Sequence, residues 1–187
     1  MNIITVESRN VLRKAKQLRR DGIVPCTIYG GALSESLLIQ MDQNEAKRML
    51  RSKQEGSKME IELDSKIIPV QIKDVESNII NNQIIHICFQ ALEADKRVNS
   101  KAQIILENAD KVVGVLEQML FEVPYSALPS DMIDTVTIDL DGLVGGSVLT
   151  LEDIPAFKNK NINLQVSSDS MILKISDRKG VVLEVAE

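Results

Sequence analysis

Apolar and polar residues alternate in short runs along most of this chain, the two-residue period of half-buried β-strands. Clear helical spacing is confined to two early segments. Within residues 9–20, Val11, Ala15 and Leu18 fall at i, i+4 and i+7, and Asp21-Gly22 then supplies a stop, glycine being favoured just past a helix end. Asp42 stands as an N-cap with Glu45 three residues on, which predicts a helix over 43–52 with Ala46, Met49 and Leu50 on its apolar side. Around these helices, strands are expected at 3–7, 25–29, 37–41, 59–63, 67–75 and 84–92. Gly30-Gly31, Asp64-Ser65-Lys66 and the polar stretch 78–82 provide the turns.

Residues 93–101 are polar and charged and read as a linker between a first unit, 1–93, and a second, 94–187. In the second unit strands are expected near 102–106, 121–125, 136–139, 147–151, 162–165, 171–176 and 181–185, with one helical turn at most at 129–132. The segment 112–119 is ambiguous, because Gly114 and the β-branched valines weaken its helical pattern. The fold class is therefore mainly β of the α+β kind: several antiparallel strands with two helices, then a β-rich unit.

Composition sharpens this. Aromatic residues are 3% and Trp is absent, so the cores must be built from Ile, Leu and Val. No apolar run approaches the roughly 18 residues of a membrane span, and the amino terminus lacks the basic and apolar regions of a signal peptide. Cys26 and Cys88 match no metal spacing and read as free thiols of a reducing cytoplasm.

The net charge of −5 is unevenly distributed. Residues 1–94 hold 13 Lys and Arg against 12 Asp and Glu, whereas 95–187 hold 9 against 15. Within 9–20 stand Arg9, Arg13, Lys14, Lys16, Arg19 and Arg20, and no acid. On a continuous helix Arg9, Arg13, Lys16 and Arg20 would form one cationic stripe. Like charges at i, i+4 destabilise a helix by a few tenths of a kcal/mol, so the stripe makes sense if a polyanion supplies the counter-charge, and arginine forks suit phosphate. A solvated surface face explains the same residues.

Other candidates carry less. His86 sits among isoleucines in a strand and reads as a sheet histidine, and Tyr29 can stack on a base or simply pack. His86 and Cys88 share a strand face at i, i+2, about 6 to 7 Å of rise, too far for direct hydrogen bonding without a bend. Glu117, Asp139, Asp141, Glu152 and Asp153 lie at no ligand spacing, and Gly30-Gly31 and Gly145-Gly146 lack the pattern of a phosphate loop. No metal, cofactor or catalytic set is expected; a hydrolase built on either cysteine is the weakest reading.

The run Lys16-Gln17-Leu18-Arg19-Arg20-Asp21-Gly22-Ile23-Val24-Pro25-Cys26-Thr27-Ile28-Tyr29-Gly30-Gly31 resembles the opening of the bacterial large-subunit ribosomal protein family number twenty-five, which binds 5S ribosomal RNA. Asp74-Val75, Ile85-His86-Ile87 and Phe89 resemble the end of the same domain. Gly114 to Gln118, Leu128-Pro129-Ser130-Asp131 and Ile138 to Leu143 are similar to the second domain of its longer form, the CTC or general stress protein type. The resemblance implies an N-terminal β-barrel gripping the loop E region of 5S RNA, followed by an elongated β-rich domain. Carried over by position, the RNA contacts are Lys16, Arg19, Tyr29 and His86, with Arg9, Arg13, Lys14 and Arg20 adding phosphate attraction. It further implies a place in the large ribosomal subunit, with neighbouring ribosomal proteins as partners of the acidic second unit. Its local patch at Lys158 and Lys160 offers a second route to RNA.

Four positions depart from the family pattern. Val11-Leu12-Arg13 replaces a Gly-Lys-Gly loop, Gln17 replaces one arginine, Glu76-Ser77-Asn78-Ile79 replaces Gln-Arg-His-Pro, and Cys88 replaces an aspartate. Each removes a polar or cationic contact. The alternative reading is a divergent stress paralogue with the same fold and a protein partner in place of RNA.

Overall fold

The computed structural model describes residues 3–159 and 161–177. Its first part is a closed six-stranded barrel of β1 (Ile3–Ser8), β2 (Ile23–Tyr29), β3 (Leu37–Asp42), β4 (Lys58–Leu63), β5 (Lys66–Asn78) and β6 (Gln83–Ala91), in the order β1-β3-β2-β6-β5-β4. Neighbours are antiparallel except β1 with β4 and β2 with β6, which pair in parallel and close the barrel. Alternation along β4 buries Met59, Ile61 and Leu63 and leaves Lys58, Glu60 and Glu62 outward. Val24, Cys26, Ile28, Ile39, Ile72, Ile87 and Phe89 complete the barrel core. The tight β4–β5 turn places Asp64 and Ser65 at φ 50° and 64°, the positive values that match the twist of a two-residue hairpin.

Helix α1 spans Ala15–Arg20 and α2 spans Gln43–Ser52. The Asp42 carboxylate accepts from the backbone N–H groups of Asn44 at 2.7 Å and Glu45 at 3.4 Å, a cap worth about 1 kcal/mol. Ala46 and Met49 of α2 are buried against the barrel core.

The second part comprises β7 (Val98–Glu107), β8 (Val115–Gln118), β9 (Glu122–Ala127), β10 (Thr135–Asp139), β11 (Val148–Thr150), β12 (Asn163–Leu164) and β13 (Met171–Ser176). They form a four-stranded sheet, β10-β7-β9-β12, and a three-stranded sheet, β11-β13-β8, with one apolar core of residues from both. Tyr125 is wholly buried there. Its hydroxyl donates to the Ile133 carbonyl at 2.9 Å and accepts from the Ile133 N–H at 2.8 Å, so the phenol carries no orphan polar group.

The expected mainly β, α+β class is found, with informative differences. The segment expected as a linker is half strand, since β7 begins at Val98. Segment 112–119 resolves as β8 after a single 3-10 turn at Ala109–Lys111, and 129–132 forms a non-helical turn. The strand expected at 181–185 lies outside the described residues, as does Lys160.

The two parts meet through polar contacts. Ser100 Oγ donates to the Gly56 carbonyl at 2.8 Å, and Gln71 Nε2 donates to the Asn99 carbonyl at 3.1 Å. Lys53 Nζ pairs with Asp134 at 2.6 Å, whose other oxygen accepts from the Lys58 backbone N–H at 3.1 Å.

Candidate nucleic-acid interface

Residues 9–14 are not helical, contrary to the sequence expectation. The Asn10 side chain accepts from the Leu12 N–H at 3.0 Å, while the Asn10 carbonyl accepts from the Arg13 N–H at 3.2 Å. This local side-chain bond offers the backbone an alternative to helix. The Arg9 N–H meanwhile donates to the Leu38 carbonyl of β3 at 3.0 Å, holding that residue on the barrel. Val11 and Leu12 therefore bury nothing, being 72% and 91% exposed. The single stripe of four cations does not form.

Helix α1 carries what remains of the pattern. Leu18 is its buried anchor, and Arg19 and Arg20 lie in its last turn, where cations favour the helix dipole. The helix is tied to β6 at two points: Arg19 Nε donates to the Ile85 carbonyl at 3.1 Å, and Gln83 Nε2 donates to the Arg19 carbonyl at 2.9 Å. Ile85 is the extra residue of a β-bulge, since Glu76 pairs with His86 but Ser77 with Ile84. A bulge bends its strand and re-aims local groups, here presenting a carbonyl to Arg19.

The six cations are thus not equivalent. Arg13 pairs with Asp21, an acid lying just beyond the acid-free run. Arg9 keeps its Nε buried without an acceptor among the described residues. Lys14, Lys16 and Arg20 are exposed, and none joins an ion pair among the described residues.

Next to α1 lies the outer face of β2, β6 and β5. Cys26, Ile28, Ile87 and Phe89 point into the core, so Thr27, Tyr29, His86 and Cys88 share the outer side. Register sets Thr27 opposite Cys88, Cys88 opposite Asp74, and His86 opposite Glu76. The His86 ring is held at both nitrogens, Nε2 by Thr27 Oγ1 at 3.2 Å and Nδ1 by Cys88 Sγ at 3.5 Å. That second contact corrects the expectation that the two side chains lie too far apart: the strand rise separates their Cα atoms, but the side chains lean together on β6 beside its bulge at Ile85.

Electrostatics on this face favour uncharged groups. Burial, followed by the proximity of Cys88 and Asp74, raises the Tyr29 phenol above its ordinary value, so it stays protonated and able to donate. The Cys88 thiol is raised by burial, then by Asp74 and Glu76. Cys26, inside the barrel, is pushed up to about 12 by burial. Asp74 and Glu76 are exposed and bound the face with negative charge.

Arg19 is therefore fastened to the carbonyl of Ile85, the residue before His86, and Tyr29 shares the outer face with His86. Arg9 and Arg13 belong to the preceding loop. Two residues escaped sequence reasoning: Thr27, which orients His86, and Gln83, which fastens α1. The strand period puts Thr27 on the Tyr29 side of β2, but only parallel register with β6 reveals its partner. Among the described residues no cluster of His, Cys, Asp and Glu can hold a metal ion, and no helix is long and apolar enough to cross a membrane.

Comparison with known proteins adds identity at the family level. The family described as Ribosomal L25p matches residues 4–89, and that described as Ribosomal protein TL5, C-terminal domain, matches residues 97–179. Relatives called large ribosomal subunit protein bL25 include one from Akkermansia muciniphila, 34% identical over 143 residues, covering 74% of this chain and 71% of its own length. One from Nitrosomonas europaea is 29% identical over 180 residues, covering 92% and 90%, and one from Bacillus velezensis is 29% identical over 154, covering 81% and 74%.

Proposed function

The chain belongs to the bL25 family of ribosomal proteins, and from that premise we propose that it is a non-catalytic, structural constituent of the large ribosomal subunit that binds 5S rRNA. The observation carrying this reading is the continuity of α1 with the outer barrel face. Exposed Lys16 and Arg20, with Lys14 just before the helix, are carried by an element whose Arg19 is fastened to the Ile85 carbonyl, one residue before His86, while Tyr29 lies on the same outer barrel face as His86. The cations supply phosphate attraction. Tyr29 and His86 supply flat, polar-tipped groups for the wide minor groove and the unstacked bases of an irregular RNA loop such as loop E. Arg9 adds positive charge from the preceding loop, whereas Arg13 must first release Asp21.

The proposed division assigns residues 1–93 to RNA binding and 94–187 to the second domain, whose net acidity suits neighbouring ribosomal proteins better than a polyanion. Its place in the cell is then the cytoplasmic ribosome. The relatives' names lend nothing to the paralogue alternative with a protein partner.

Titration of the full chain against 5S rRNA tests the reading. Binding is expected to weaken linearly in log–log form as salt rises, and Lys16→Ala or Arg20→Ala to flatten that slope by about one each. Absence of any complex at low salt would end it. Cosedimentation with large subunits at moderate salt is the companion measurement, and a protein found only in the supernatant favours the paralogue.

A further inference from the structure

Single exposed apolar side chains on a protein surface need no explanation. Two adjacent isoleucines at the tip of a hairpin are different. Ile79 and Ile80 join β5 to β6 and are 92% and 95% exposed. They do not hang on a loose loop: the Ile80 N–H donates to Asn78 Oδ1 at 2.9 Å, the Gln83 N–H donates to Asn81 Oδ1 at 3.1 Å, and Asn82 closes the turn at φ 50°. Side-chain caps at both ends thus preorganise a turn whose outermost groups are apolar.

The location gives the tip its meaning. Gln83, the first residue after the turn, donates to the Arg19 carbonyl, and Arg19 donates to Ile85 two residues further on. The isoleucine tip is therefore continuous with the cationic end of α1. Residues 77–83 carry no acid, and apart from the isoleucines they are Ser, Asn and Gln, neutral groups that both donate and accept. A neutral, hydrogen-bonding rim around an apolar point, next to free cations, fits a polyanion that also displays flat apolar surface.

We propose that Ile79 and Ile80 form an apolar finger that packs against bases and riboses of the bound RNA while α1 takes adjacent phosphates. The proposal rests on the RNA-binding reading above and names a part of that surface which the basic residues do not supply. Isoleucine is among the side chains that wedge between base steps in a minor groove, and the minor groove of A-form RNA is wide and shallow enough to admit such a tip. An apolar contact releases no counterions, so its signature differs from that of an arginine: it changes affinity without changing salt dependence.

The experiment compares the full parent chain, an Ile79→Ser/Ile80→Ser pair and an Ile79→Leu/Ile80→Leu pair by equilibrium titration with purified 5S rRNA at several salt concentrations. The serine pair is expected to bind roughly tenfold or more weakly at every salt, with the parent's slope and the parent's melting temperature, because neither isoleucine contributes to the core. The leucine pair is expected to retain most of the affinity. Equal binding by the serine pair and the parent overturns the proposal, as does an equal loss in the leucine pair. If the serine pair keeps full RNA affinity but no longer cosediments with large subunits, the tip faces a protein and the RNA contact is refuted. A parent chain that forms no RNA complex removes the RNA-binding reading itself, and this inference with it.

Discussion

Gly56 offers a measurement of how firmly the two parts of the molecule are joined. It sits at φ +89°, and a Cβ added there would clash with the Lys101 carbonyl oxygen and come within 2.9 Å of Lys101 N and Ser100 Oγ. Gly22 shares the conformation, at φ +77°, but nothing lies within 4 Å of its missing Cβ. The two positions separate backbone strain from contact. Placing alanine in the left-handed region costs about 1 kcal/mol at either site. At Gly56 the Ser100 hydrogen bond to its carbonyl is also displaced, about 1 kcal/mol, and forcing β7 outward adds the overpacking cost of about 1 to 2 kcal/mol. Gly56→Ala should thus lose roughly 3 to 4 kcal/mol, against about 1 for Gly22→Ala. For a chain of this size that corresponds to about 6 to 16 °C in Tm against about 2 to 4 °C. Scanning calorimetry of the two variants beside the parent decides the matter. Equal shifts at the two sites would show that the Gly56–Ser100–Lys101 contact does not restrain the junction.

Two further outcomes follow from the titrating groups. Cys88, raised by burial and then by Asp74 and Glu76, should alkylate slowly at neutral pH and faster as pH rises, while buried Cys26 stays unmodified until the barrel unfolds; mass spectrometry of iodoacetamide-treated protein reads this, and early labelling of Cys26 contradicts the barrel core. Asp153 is held below its ordinary 3.8 by the Thr150 backbone N–H and then the Thr150 hydroxyl, and Lys158 acts in the same direction. A depressed folded value means that its stabilisation is complete above the unfolded value and is lost as pH falls through the folded one. Asp153→Asn should therefore flatten the acid limb of the stability curve below about pH 4 and change little of its shape above; an unaltered acid limb refutes the assignment.

Where local chemistry alone decides structure, the sequence was legible. Asp42 capped the helix at 43–52, the alternation at 59–63 declared its buried face, and Asp64-Ser65 made the turn. The Arg9–Lys14 segment misled because the Asn10 side chain accepts from the Leu12 N–H and turns the backbone away from helix there, so that Val11 falls outside the spacing that Ala15 and Leu18 keep in α1. Arg13 looked free because its partner, Asp21, lay one residue outside the cationic run. The His86–Cys88 contact was hidden by reliance on strand rise, which measures Cα positions and not the lean of side chains on a bulged strand. Thr27, Gln83 and the isoleucine tip became visible only with register, because their significance lies in neighbours distant in sequence.

That same register has a consequence for synthesis. The outer face carrying Tyr29 and His86 exists only where β2 and β6 run parallel, with partners from Cys26 and Ile87 to Tyr29 and Gln90. A chain growing at about 5 to 20 residues per second makes β6 some 3 to 12 seconds after β2. Until then the basic segment is present but has neither Ile85 to receive Arg19 nor His86 beside it. The nascent protein thus carries positive charge without the assembled surface, which is complete only when the last strand of the barrel arrives.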